Sequence, residues 1–252
     1  MAQTRPDRSR DRPWTQGLVV QAKLFGPVEL SDQWGSVVER PARRPLPWLL
    51  LKYLLANPGR EVSGRELDRE LWPERAKGST DNNLRVRLHR LRESLAPLGL
   101  DGPEGLVLSC GGRIFLNPDI PVQTDTEQFT ALLRREGALP TGDPEGLALC
   151  AQALELYRGA FLEHTAPAPW LDAYRAQYAR QFRALAWRTL RRMDAVGADG
   201  PLELLCRRAA WAAPGDSALH GELIRCLAQY QRQGELIRHV AQLKLSRGKE
   251  QN

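Results

Sequence analysis

Residues 79–95, S-T-D-N-N-L-R-V-R-L-H-R-L-R-E-S-L, restrict the fold of this chain more than any other stretch. Leu84, Leu88, Leu91 and Leu95 recur with the period of one helix face. Ser79, Thr80 and Asp81 supply N-cap chemistry just ahead of them. At about 100° per residue, Asn82, Asn83, Val86, Arg87, His89 and Arg90 point away from the leucine stripe, with Arg85 and Arg92 on its flank. The segment therefore reads as a helix with an apolar back and a cationic front. Such a front has what groove reading needs: arginine forks onto guanine, asparagine onto adenine, and valine touches a thymine methyl. Only Glu93 lies among the four arginines, so pairing along the helix does not neutralise them. The competing reading is a surface helix with solvated arginines.

The segments before it form a frame. Residues 18–25 read as a strand stopped by Gly26-Pro27, and 28–30 and 36–39 as short strands, together a small antiparallel sheet. Residues 46–56, L-P-W-L-L-L-K-Y-L-L-A, read as a core helix ended by Asn57-Pro58-Gly59. The preceding Arg40, Arg43 and Arg44 are candidates for phosphate contact, or a solvated turn. Ser63 with Glu66 predicts a capping box for a second helix through Leu67, Leu71 and Trp72, ended by Pro73. After a loop over 73–78 comes the basic helix. One helix supporting and the next reading is helix-turn-helix logic. Residues 106–109 and 113–116 read as two strands around Cys110-Gly111-Gly112, a hairpin placed as a wing, with Arg113 ready for a minor groove. The rival is a hairpin that only closes the sheet.

A length of 252 residues allows two modest domains. The formal net charge of +6 among 26% charged residues fits a focused basic patch facing an anionic partner. Cys110, Cys150, Cys206 and Cys226 are scattered without a C-x-x-C pair, so free thiols are expected in place of a metal or disulfide framework. The four histidines form no metal-ligand spacing, and no metal or cofactor is expected. No apolar run is long enough for a membrane span. Residues 1–17 read as a disordered tail, lacking the apolar core of a signal peptide.

Here the residues meet a known family. Leu84-Arg-Val-Arg-Leu-His-Arg-Leu-Arg92, with Ser63, Leu67 and Leu71-Trp72 before it, makes residues 18–118 resemble the OmpR/PhoB-type winged helix-turn-helix. The resemblance implies that Val86 and Arg90 read bases. It implies that Asn82, Asn83, Arg87 and His89 contact bases or phosphates, with Arg85 and Arg92 beside them, and that Arg113 is the wing arginine. That family's wing usually reads Gly-Tyr-Arg; here Gly111-Gly112-Arg113 lacks the aromatic. The loop at 73–78 resembles the segment that touches RNA polymerase, which makes Arg75 and Lys77 candidates for that contact.

Past residues 118–122, taken as a Pro-containing hinge, the rest reads as helices only: 125–135, 144–161, 167–193, 201–213, 216–231 and 235–245. The last helices recur at roughly the 34-residue spacing of tetratricopeptide pairs, with Leu204 and Ala209 answered by Leu236 and Ala241. Residues 121–245 resemble the bacterial transcriptional activator domain through Asp125 and Phe129, Ala153 to Gly159, Trp170 and Arg175, and Pro214 to His220. The two modules in this order resemble the SARP-type regulators (Streptomyces antibiotic regulatory proteins). His164, His220 and His239 read as solvated or packing residues, and Trp170, Trp187 and Trp211 as core anchors.

The expected fold class is mostly α: a disordered tail over 1–17, a winged helix-turn-helix over 18–118 with a small sheet, three helices and a wing, and an all-α tetratricopeptide-like domain over 119–252. The expected function is a sequence-specific DNA-binding transcription regulator, an activator, located in the cytoplasm at the nucleoid. The resemblance implies direct-repeat sites, a homodimer on double-stranded DNA, and contact with the sigma subunit or alpha C-terminal domain of RNA polymerase. The alternative is a protein-interaction adaptor whose winged helix does not meet DNA. No nucleophile elbow, phosphate loop or catalytic cluster is present, so an enzyme is not expected. No receiver domain precedes the winged helix, so a phosphoryl switch is not expected either.

Overall fold

The computed structural model describes residues 19–39, 45–73 and 81–250, with the side chains of 45–47, 81–83 and 246–250 set aside. Arg40, Arg43, Arg44, Arg75, Lys77, Ser79 and Thr80 lie outside the described residues. The chain divides into two compact units, residues 1–124 with 164–169, and residues 125–163 with 170–252.

The first unit opens with β1 (Val20–Lys23), β2 (Glu29–Asp32) and β3 (Gly35–Val38), an antiparallel meander. α1 (Pro45–Ala56) follows, then the two-residue β4 (Val62–Ser63), α2 (Gly64–Leu71) and α3 (Asp81–Leu95). β5 (Val107–Cys110) and β6 (Arg113–Leu116) form the hairpin, and β7 (Val122–Thr124) ends the unit. Two sheets result, in the orders β3-β2-β1-β7 and β4-β6-β5. β7 joins β1 in parallel, Val20 opposite Val122. The sheet therefore mixes directions where an antiparallel one was expected, and the last residue of the stretch read as a hinge, Val122, opens a strand. β4 lies just ahead of the capping box and sets Val62 opposite Ile114.

α1 packs against α2 and α3, with Leu50, Leu51, Leu54 and Leu91 essentially sealed from water. Its one charge, Lys52, is buried too, and its Nζ donates to the Glu39 carboxylate at 2.6 Å. A buried ammonium persists only with such a partner.

The second unit is helical: α4 (Asp125–Gly137), α5 (Pro144–Leu156), α6 (Pro169–Val196), α7 (Leu202–Ala212), α8 (Ser217–Gln229) and α9 (Gln233–Glu250). α7 packs against both α8 and α9. The core is aromatic around Tyr157, which stacks on Phe182 with centroids 4.7 Å apart and tilts against Phe129. Burial pushes the Tyr157 phenol up to about 12. α5 stops at Leu156, short of the expected 161. Beyond it Leu162 is buried at φ 51°, a costly conformation for a non-glycine residue, and Arg175 braces it by donating to the carbonyls of Phe161 and Leu162.

The buried Arg192 holds the end of α4. Its Nε donates to the Glu136 carboxylate at 2.7 Å, and its terminal nitrogens donate to the carbonyls of Glu136, Leu139, Pro140 and Thr141. The Glu136 carbonyl is one of those a helix end leaves open, and the other three belong to the turn that follows α4. Gly146 lies against this guanidinium, and a Cβ there would clash with it. Of the tryptophans expected in the core, Trp211 is 41% exposed, while Trp170 and Trp187 are half-buried. The loose repeat register shows in burial: Ala209 is buried and its counterpart Ala241 exposed.

Candidate nucleic-acid interface

α2 is set by its first residues. The Ser63 hydroxyl accepts from the Glu66 amide, and the Glu66 carboxylate accepts from the Ser63 amide and hydroxyl. These bonds hold the Glu66 carboxyl below its ordinary range. α2 buries Leu67 and Leu71 and ends at Trp72.

α3 buries Leu88, Leu91 and Leu95, and Leu84 is half-buried. On its other side Arg85, His89 and Arg90 are exposed, and Val86 is 43% exposed. Glu93 sits 3.5 Å from His89, one turn away, and no ion pair to Arg85 or Arg90 occurs among the described residues. Asn82 and Asn83 fall in the first turn of α3, and their side chains lie outside the described residues.

Two of the arginines expected at DNA, Arg87 from the outward face and Arg92 from the flank, turn back. Arg87 is 8% exposed. Its guanidinium carbon stands 3.6 Å from the centre of the Trp72 ring, and one terminal nitrogen reaches the Asp68 carboxylate at 3.1 Å. It thus clamps α3 to α2. Arg92 is half-buried and donates to the Val107 carbonyl at 3.1 Å, tying α3 to the first strand of the hairpin. The expectation that Arg87 lies on the open face is corrected: a long cation beside a helix partner carrying a carboxylate and an indole folds onto it.

The hairpin turns at Gly111 and Gly112, with φ of 57° and 74°. Consecutive positive φ is the two-residue turn that matches strand twist, and glycine adopts it without strain. Arg113 follows with its side chain 55% exposed, 3.9 Å from the Glu61 carboxylate. The exposed groups are thus Arg85, Val86, His89 and Arg90 on α3, and Arg113 on the wing. The missing aromatic of the wing is glycine, so nothing but backbone stands at its tip beside the exposed Cys110.

Among the described residues no group of three histidines, cysteines or carboxylates is placed to hold a metal, and no helix is long and apolar enough to cross a membrane.

Residues 44–102 match the family "Transcriptional regulatory protein, C terminal", and residues 124–244 match the "Bacterial transcriptional activator domain". The solved structure of Mycobacterium tuberculosis EmbR in complex with low affinity phosphopeptide is similar at a TM-score of 0.60 and 17% identity. That similarity covers 91% of this chain and 59% of that one, and it shows a shared fold. No curated protein matches the sequence. The matched families are transcription regulators, not enzymes: a DNA-binding winged helix is joined here to a helical activator domain. The chain thus carries, in this order, the two domains of a SARP-type transcriptional regulator.

Proposed function

We propose that the first unit binds double-stranded DNA in a sequence-specific way and that the protein activates transcription from the bound site. α3 enters the major groove. Arg90 and Val86 read base edges, Arg85 and His89 meet bases or phosphates, and Arg113 reaches the neighbouring minor groove. Asn82 and Asn83 at the start of α3 join that set. Arg87 and Arg92 act behind the face, by holding it in place.

The observation that carries this reading is the composition of the exposed face of α3. Arginines and a valine stand out in solvent with a single acid, and that acid faces His89. A solvated helix has no use for a 43% exposed valine beside Arg85 and Arg90, neither of which is ion-paired among the described residues; a base-reading helix does. Direct-repeat sites, head-to-tail pairing of two copies on DNA, and a polymerase contact through Arg75 and Lys77 belong to the same proposal. So does a place at the nucleoid in the cytoplasm.

The test is a mobility shift on the upstream regions of neighbouring genes. The Val86→Ala, Arg90→Ala double variant should lose specific binding while keeping weak, salt-sensitive binding to generic duplex. Unchanged specific binding by that variant removes α3 from the interface. No affinity for any duplex at low salt favours the adaptor reading.

A further inference from the structure

The second unit carries a basic basin that DNA reading does not use. It has a volume of about 390 Å³ and lies among Arg158, Arg207, Arg208, Trp211, Gln242 and Leu245. α7 supplies Arg207, Arg208 and Trp211, and α9 supplies Gln242 and Leu245. Its charges are unevenly answered. Arg158 pairs with Asp125 at 3.2 Å. Arg208 is fixed by donating to the Leu154 and Glu155 carbonyls at the end of α5. Burial, with Arg207 and Arg158 beside it, disfavours its charged form, and Glu155 only partly offsets this. Arg207 is exposed and has no hydrogen bond or ion pair among the described residues.

The apolar lining is as unusual. Trp211 is 41% exposed and Leu245 71% exposed, both at the basin. The indole is not loose: it leans on the buried Tyr157, with centroids 6.4 Å apart. A fixed, half-open tryptophan beside a guanidinium that has no partner among the described residues is the composition of a protein-binding hot spot.

We propose that this basin binds an acidic segment of a partner protein. Carboxylates of the segment pair with Arg207 and the outer edge of Arg208, and an apolar side chain seats between Trp211 and Leu245. Charge complementarity selects the occupant. Cations in excess over carboxylates call for an anion, and the apolar wall calls for a hydrocarbon anchor on the same ligand. A duplex backbone brings phosphates but no such anchor, and a basin of this volume admits side chains and not a double helix.

The test uses the full chain and a fluorescently labelled twelve-residue peptide of alternating Glu and Leu. Fluorescence anisotropy should give saturable binding. The same peptide with Gln for Glu, or Ser for Leu, should bind at least about tenfold more weakly, the effect of losing one good contact. Arg207→Glu should weaken the Glu/Leu peptide by a similar factor. Trp211→Ser should do so independently, and both variants should keep the wild-type circular dichroism. Absence of binding, equal binding of the Gln peptide, or no change in either variant overturns the proposal. So does full displacement by an equimolar dT oligonucleotide, which would make the basin a nucleic-acid surface. Specific duplex binding is measured on the same samples. Its absence counts against the reading of α3 and leaves this result standing.

Discussion

Four arginines on one helix have three different environments, and the difference sets what each does. Arg85 and Arg90 are exposed, Arg92 is tied to a carbonyl, and Arg87 is pressed between an indole and a carboxylate. Arg87→Ala removes a cation–π contact and leaves Asp68 without its partner. It should lower stability by about 2 kcal/mol, read by urea denaturation. Arg90→Ala should change stability by no more than about 0.5 kcal/mol yet weaken specific DNA binding by about 1–3 kcal/mol, read by anisotropy on the operator. The reverse pattern would exchange their roles. The helical period made the leucine side of α3 legible, because the period depends on neighbours in sequence. It did not make Arg87 legible. Asp68 and Trp72 belong to another helix, and a guanidinium on a long stem follows its partners and not its wheel angle.

Among elements, the legible ones were those whose cause is local. The capping box of α2 rests on two residues three apart, and both of its reciprocal bonds are present. Ser63→Ala should therefore cost about 1 kcal/mol, seen as a lower urea midpoint with an unchanged slope. The hairpin turn was legible for the same reason, since two adjacent glycines imply positive φ. Gly112→Ala should cost roughly 1 kcal/mol and reduce duplex affinity in step with the displaced Arg113; full affinity would show that the wing does not touch DNA. β4 and β7 were not legible. They are two and three residues long, too short for a pattern, and exist because β6 and β1 offer open edges to pair with. The early end of α5 likewise answers to Arg175, which lies on α6 and draws the 161–163 backbone out of any helix.

At the scale of the whole chain, two units with their own cores should answer acid differently, because a buried histidine pair lies in only the second. His220 Nε2 stands 2.9 Å from the Ala213 carbonyl, which can only accept, so Nε2 carries the proton. Nδ1 of His220 then accepts from Nε2 of His239 at 3.1 Å. His239 is 1% exposed, and taking a second proton would place a charge among buried groups beside another imidazole. Burial first, and His220 second, push its pKa down from 6.5 to about 4. Between these values the unfolded chain binds a proton that the folded chain refuses, so stability falls as the pH drops from about 6.5 to about 4. The loss is on the order of 3 kcal/mol when complete. Urea titrations at pH 7.5, 5.5 and 4.5 should show the second unit's transition moving to lower denaturant across this window. Arg87→Ala identifies the first unit's transition, since it shifts that one alone. In His239→Gln the second transition should start lower and lose about one proton's worth of slope against pH; an unchanged slope would mean that other groups govern the acid limb.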